Sequence, residues 1–123
     1  MNVEGISLHA IVLEPEPFTA TKALMSETFG LAPEVEAEGI VLFTMPNGTM
    51  LELNTPQAAS AEYSFNDGLV FGFRVDDLEA AWAAVEAAGC ELLGEITRVE
   101  EVGYAYQRFR GPDGRVYSLN EQN

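Results

Sequence analysis

Basic residues are scarce in this sequence. Six lysines and arginines stand against 20 aspartates and glutamates, a formal net charge of −14. A surface of that balance repels phosphate backbones and anionic lipid, which argues against nucleic-acid and membrane-surface roles. It suits a solvated, mutually repelling exterior, or a patch that attracts a cationic ligand. Cysteine is nearly absent: Cys90 stands alone, so no intrachain disulfide forms. Following Ala88-Gly89 in an apolar setting, it reads as a small hydrophobe. Histidine is equally rare, with His9 the only one. No apolar run approaches membrane-spanning length, and Met1 to Gly5 lacks the basic and apolar regions of a signal peptide. The expected location is the cytoplasm.

What is present reads as one globular domain over residues 1–123. Hydrophobic residues make up 47% of the chain and charged residues 21%, a folding rather than a disordered composition. Ile6 to Leu13 is a strand-length apolar run stopped by Pro15 and Pro17. Thr19 is expected to cap a helix running to Phe29, with Ala20, Leu24 and Phe29 as its apolar stripe and Gly30 at its end. Glu34 to Glu38 alternates like an edge strand, and Ile40 to Met45 is a stronger one. Pro46-Asn47-Gly48-Thr49 predicts a two-residue hairpin turn, with Met50 to Asn54 returning. The pattern then restarts. Leu69 to Val75 is a strand, Asp76-Asp77 caps a helix ending at Gly89, and Glu91 to Val99 and Tyr104 to Arg110 are strands. Pro112-Asp113-Gly114-Arg115 turns into Val116 to Asn120.

The restart is an internal repeat. Pro46-Asn47-Gly48-Thr49-Met50-Leu51-Glu52-Leu53 aligns position for position with Pro112-Asp113-Gly114-Arg115-Val116-Tyr117-Ser118-Leu119. Each hairpin closes a strand, helix, strand, strand, strand order. Module one covers about 5–55, a linker about 56–67, and module two about 68–121.

The His9-bearing first strand, Phe29-Gly30-Leu31, Phe73-Arg74-Val75-Asp76-Asp77-Leu78 and Gly111-Pro112-Asp113-Gly114 together resemble the vicinal oxygen chelate superfamily. Its members include glyoxalase I, bleomycin-resistance proteins, fosfomycin-resistance enzymes and extradiol dioxygenases. The resemblance implies an α+β fold in which two βαβββ modules form a curved open mixed sheet around a central cavity, with helices on the outer face. It also implies a homodimer. Catalytic relatives hold one divalent metal on the first and last strands of each module. Carried over, those positions fall on His9 and Glu52 in module one and on Val70 and Ser118 in module two. Valine cannot ligate a metal and serine does so weakly, so the expected metal set is none and a divalent cofactor is disfavoured.

Alternation gives the rest of the expected wall. Met50, Glu52 and Asn54 share a face, as do Val70, Gly72 and Arg74, and Val116, Ser118 and Asn120. Tyr104, Tyr106, Arg108 and Arg110 share another. Arginines there read either as an anion-recognising wall or as surface partners of the abundant carboxylates. His9, Glu52, Arg74, Tyr106, Arg108 and Ser118 are therefore the candidate ligand-binding residues, and the resemblance implies that His9 and Glu52 both face the cavity. The leading expectation is a metal-free protein that binds or sequesters a small molecule, cationic or aromatic in character. The alternative is a metal-dependent lyase, isomerase or dioxygenase using His9 and Glu52 with further ligands.

Overall fold

Eight strands and two α-helices alternate along the chain in two βαβββ runs. In chain order they are β1 (Val3–Val12), α1 (Pro15–Ala23), β2 (Pro33–Ala37), β3 (Ile40–Thr44), β4 (Met50–Asn54), β5 (Leu69–Val75), α2 (Leu78–Ala87), β6 (Glu91–Val99), β7 (Tyr104–Arg110) and β8 (Val116–Gln122). The computed structural model describes residues 1–61, 63 and 68–122, so the expected linker lies partly outside the described residues. The strands hydrogen-bond in the order β2-β3-β4-β1 in the first half of the chain and β5-β8-β7-β6 in the second, each a mixed sheet. The fold class is α+β, as the sequence implies. Contacts divide the chain into Leu8–Val70, here the first unit, and Met1–Ser7 with Phe71–Asn123, the second.

In the first unit, β1 runs parallel to β4, and β3 lies antiparallel to both β4 and β2. Val41, Phe43 and Leu53 are fully buried and meet Phe18 of α1. Burying each such side chain is worth roughly 1.5–3 kcal/mol, which is what fastens the helix to the sheet. The helix begins at Pro15, one turn before Thr19. Proline has no N–H to leave unsatisfied in a first turn, and its fixed φ suits that place. Thr19 lies inside the helix and donates its hydroxyl to Pro15 O at 3.1 Å, so it caps nothing. The helix ends in a wider π-type turn, Leu24–Thr28, where Phe29 N–H donates to Leu24 O. That turn rotates Phe29 outward to 60% exposure, so Phe18 rather than Phe29 anchors the helix.

In the second unit, β5 is parallel to β8, and β7 is antiparallel to β8 and β6. Asp77 caps α2 by accepting from Ala80 N–H at 3.1 Å, as its sequence position suggests. Leu78 and Ala81 of α2 pack on Val75, Phe109 and Leu119, with Cys90 half-buried beside them. Asp76 accepts from the backbone N–H and the side-chain amide of Asn2, at 2.6 and 3.0 Å, fastening the start of β1.

The hairpins of the repeat are the same object twice. Met45 N–H donates to Thr49 O, and Gly111 N–H to Arg115 O. Asn47 Oδ1 accepts from Thr49 N–H, and Asp113 Oδ1 from Arg115 N–H, both at 3.0 Å. Each turn has one positive-φ residue, Gly48 or Gly114, so it is a longer loop than the two-residue turn expected.

Candidate functional site

Residues paired across neighbouring strands share a face of the sheet, and the face alternates along each strand. In the first unit Leu8, Ala10 and Val12 pair with Met50, Glu52 and Asn54. Leu42 lies beside Glu52 on the same face. The other face carries His9, which pairs with Leu51, and then Ile11 and Leu13. Ile11, Leu13 and Leu51 pack against the Phe18 cluster, so His9 shares the helix-bearing face. The expectation that His9 and Glu52 share one face of the sheet is corrected: Glu52 faces away from α1 and His9 faces with it. Glu52 Oε2 instead accepts from Asn54 Nδ2 at 3.2 Å.

The corresponding register in the second unit explains the error. Gly72 pairs with Ser118 and Arg74 with Asn120, while Phe73 and Leu119 belong to the α2 core. Matching Ala10–Glu52 to Gly72–Ser118 makes Leu8 the counterpart of Val70, and Ile11 and Leu13 the counterparts of Phe73 and Val75. The first-strand position of module one is therefore Leu8, not His9. By the resemblance, the ligand positions then fall on Leu8 and Glu52 in module one and on Val70 and Ser118 in module two. One carboxylate and one hydroxyl fall short of the roughly three protein donors of a catalytic divalent site. These residues do not fit the cofactor. Among the described residues no group of three or more His, Cys, Asp or Glu is placed to hold a metal.

The second unit carries the richer polar wall. Across its non-helical face run the rows Arg74, Asn120, Tyr106 and Gly72, Ser118, Arg108. Asn120 is fully buried and Ser118 is 1% exposed. The Arg108 guanidinium lies 5.2 Å from the Tyr106 ring centroid, within cation–π range. Ser7 donates its hydroxyl to Asn120 Oδ1 at 2.7 Å. Arg98 and Arg110 behave differently, pairing with Glu79 at 2.9 Å and with Glu91 at 3.4 Å on the surface. Surface pairing thus describes those two arginines, whereas Arg74 and Arg108 belong to the wall. Ser7 is legible in the sequence only as a strand residue, whereas alternation already puts Asn120 on the wall beside Ser118. Continuing the hairpin repeat one step, from Glu52-Leu53-Asn54 to Ser118-Leu119-Asn120, is the signal that marks Asn120.

A separate cleft of about 590 Å³ opens in the first unit between the start of α1, the β2–β3 turn and the chain after β4. Pro15, Thr19, Glu38, Thr55 and Gln57 line it, none of them a candidate from the sequence. Among the described residues, no helix is long and apolar enough to cross a membrane.

The sequence matches the family model of the Glyoxalase/Bleomycin resistance protein/Dioxygenase superfamily over residues 9–117. No curated protein matches it. Among solved structures, an Mn(II)-bound glyoxalase from Novosphingobium aromaticivorans is 23% identical with a TM-score of 0.73, over 97% of this chain and 39% of that one. The chain thus spans well under half of that glyoxalase. Methylmalonyl-CoA epimerase from Mycobacterium tuberculosis is 19% identical with a TM-score of 0.67, over 98% of this chain and 89% of the other. A variant of Streptomyces coelicolor methylmalonyl-CoA epimerase, solved in complex with 2-nitronate-propionyl-CoA, is also 19% identical, with a TM-score of 0.65 over 98% of this chain and 99% of the other. At these identities the likeness is one of fold.

Proposed function

The chain belongs to the Glyoxalase/Bleomycin resistance protein/Dioxygenase superfamily, and we propose that it is a member that binds or sequesters a small molecule without a metal. One observation supports this reading: by strand register, Leu8 and Glu52 match Val70 and Ser118, and these are the positions that the family resemblance assigns to metal ligands. Two aliphatic side chains at those positions offer no metal donor and suit apolar contact rather than Lewis-acid chemistry. Within the second unit, Arg74, Tyr106, Arg108 and Ser118 would orient the ligand, and Glu52 is the polar residue of the matching face in the first unit. His9 is outside this set because its side chain belongs to the helix-bearing face. A carboxylate without a nucleophile or second acid–base partner beside it defines no reaction.

Elemental analysis of protein purified without chelator tests the proposal, together with thermal unfolding against a panel of small acids, amines and neutral aromatics. The expected result is metal well below one equivalent and a saturable rise in Tm with some members of the panel. Stoichiometric manganese, zinc, nickel or iron that is lost in Glu52→Gln would instead establish the metal-dependent enzyme.

A further inference from the structure

Within the second unit, the buried donors beside Ser118 lack an acceptor among the described residues, and the first unit shows what kind of acceptor fits. Asn54 and Asn120 are counterparts in the repeat, both buried, at 2% and 0% exposure. Each is one step beyond the residue that faces Ala10 or Gly72. In the first unit the Asn54 amide donates to the Glu52 carboxylate. In the second unit Ser118 replaces that glutamate, and the short hydroxymethyl group takes the carboxylate away. Val12, the strand neighbour of Asn54, is replaced by Arg74, the strand neighbour of Asn120. The substitutions remove one negative charge and add one positive charge at the same place in the motif.

The result is visible in the hydrogen bonding. Ser7 donates to Asn120 Oδ1, which turns Nδ2 away from it. Asn120 Nδ2 and Arg74 Nε are both buried and have no hydrogen-bond partner among the described residues. A buried donor left unsatisfied forfeits its hydration without recompense, and a charged one forfeits more, so the site favours whatever supplies an acceptor. Ser118 and Gly72 are the neighbouring residues on this face, shorter than Glu52 and Ala10 at the matching positions of the first unit.

We propose that Arg74 and Asn120 form a recognition site for the carboxylate of a small organic acid, which takes the place that the Glu52 side chain occupies in the first unit. This rests on the small-molecule-binding reading above and names the ligand's chemical class. It replaces the cationic ligand suggested by net charge alone. A planar carboxylate accepts from the guanidinium Nε–H and the amide N–H together, whereas an ammonium group would face two donors and gain nothing. The overall negative charge opposes an anion only weakly here. Exposed charges more than about 8 Å away are screened at physiological ionic strength, while contacts to buried donors are not.

The test is calorimetric titration of the intact chain with benzoate and hexanoate, beside benzamide, hexanamide, benzylamine and hexylamine. The acids are expected to bind saturably, and their neutral amides roughly tenfold or more weakly, the ratio for losing a hydrogen-bonded charge. Arg74→Gln and Asn120→Asp should each weaken acid binding by a similar factor. Asn120→Asp guards against misfolding as an explanation, since its carboxylate still accepts from Ser7 and supplies Arg74 with an internal partner. Acid binding unchanged in Asn120→Asp overturns the proposal, because the asparagine would then be bonding only within the protein. Amides or amines binding while the acids do not overturns the carboxylate site and leaves the binding reading standing. Binding by none of the six overturns both.

Discussion

At the scale of single residues, burial separates two phenylalanines that sequence alone treats alike. Phe43 is fully buried against Phe18 and Leu53, while Phe29 is 60% exposed beyond the π-type turn. Phe43→Ala should lower unfolding free energy by about 3–5 kcal/mol through lost transfer energy and a residual cavity, and Phe29→Ala by no more than about 0.5 kcal/mol. Urea unfolding of both variants checks the contrast. Asp76 offers a pH test. The Asn2 backbone N–H chiefly, helped by its side-chain amide, holds the Asp76 carboxyl below its ordinary 3.8 despite opposing desolvation. A depressed carboxyl stabilises the folded state above its unfolded pKa, and that contribution fades as pH falls through the folded value. The Asn2 amide resonance should therefore titrate with a midpoint below 3.8, and Asp76→Asn should abolish that titration. His9 shows where residue-scale reading stops. Ile6 to Leu13 is apolar almost throughout, so alternation does not declare its faces, and a shift of one residue exchanges them all. The cue that fixes the register is in the other half of the chain, where Phe73 and Val75 match Ile11 and Leu13 rather than Val12 and Glu14.

Elements are the most legible level, because their ends are written in residues with few conformational options. The strands Met50–Asn54, Glu91–Val99 and Tyr104–Arg110 coincide with their sequence assignments, each being bounded by turn residues. The start of α1 escapes the sequence reading because threonine resembles a cap, whereas the two prolines before it look like a stop. Proline is equally at home in a first helical turn, and that use prevails here. The hairpins give the element-scale prediction. Gly48 and Gly114 have φ of 89° and 81°, and a Cβ built on either meets nothing within 4 Å. Alanine at Gly114 would thus suffer only the backbone penalty, roughly 1–2 kcal/mol. Gly114→Ala and Gly48→Ala should lower stability by similar amounts in thermal unfolding. A much larger loss at either position would mean that the two turns are not equivalent in solution.

At the scale of the whole molecule, duplication makes one half a control for the other. The repeated turns, strand registers and helix cores supply the fold, and this is why the architecture is readable from sequence. The site is less readable because it lies in the differences: Glu52 against Ser118, Val12 against Arg74, Ala10 against Gly72. Five of the six cations, Arg74, Arg98, Arg108, Arg110 and Arg115, fall in the second unit, and only Lys22 in the first, so the halves also differ in charge. The acceptor that the second unit lacks can be restored with one substitution. Ser118→Glu restores to the second unit the carboxylate that Asn54 engages in the first, with Gly72 beside it in place of Ala10. The new side chain should accept from Asn120 Nδ2 and pair with Arg74, satisfying two buried donors for a gain on the order of 1 kcal/mol after desolvation. It should also occupy the position proposed for the ligand's carboxylate. The variant is therefore expected to unfold at a temperature equal to or above that of the parent, and to lose the response to benzoate and hexanoate. A folded Ser118→Glu protein that still binds both acids with parental affinity would place their carboxylates away from Asn120, and the two halves would then differ for some reason other than an acceptor left for the ligand to supply.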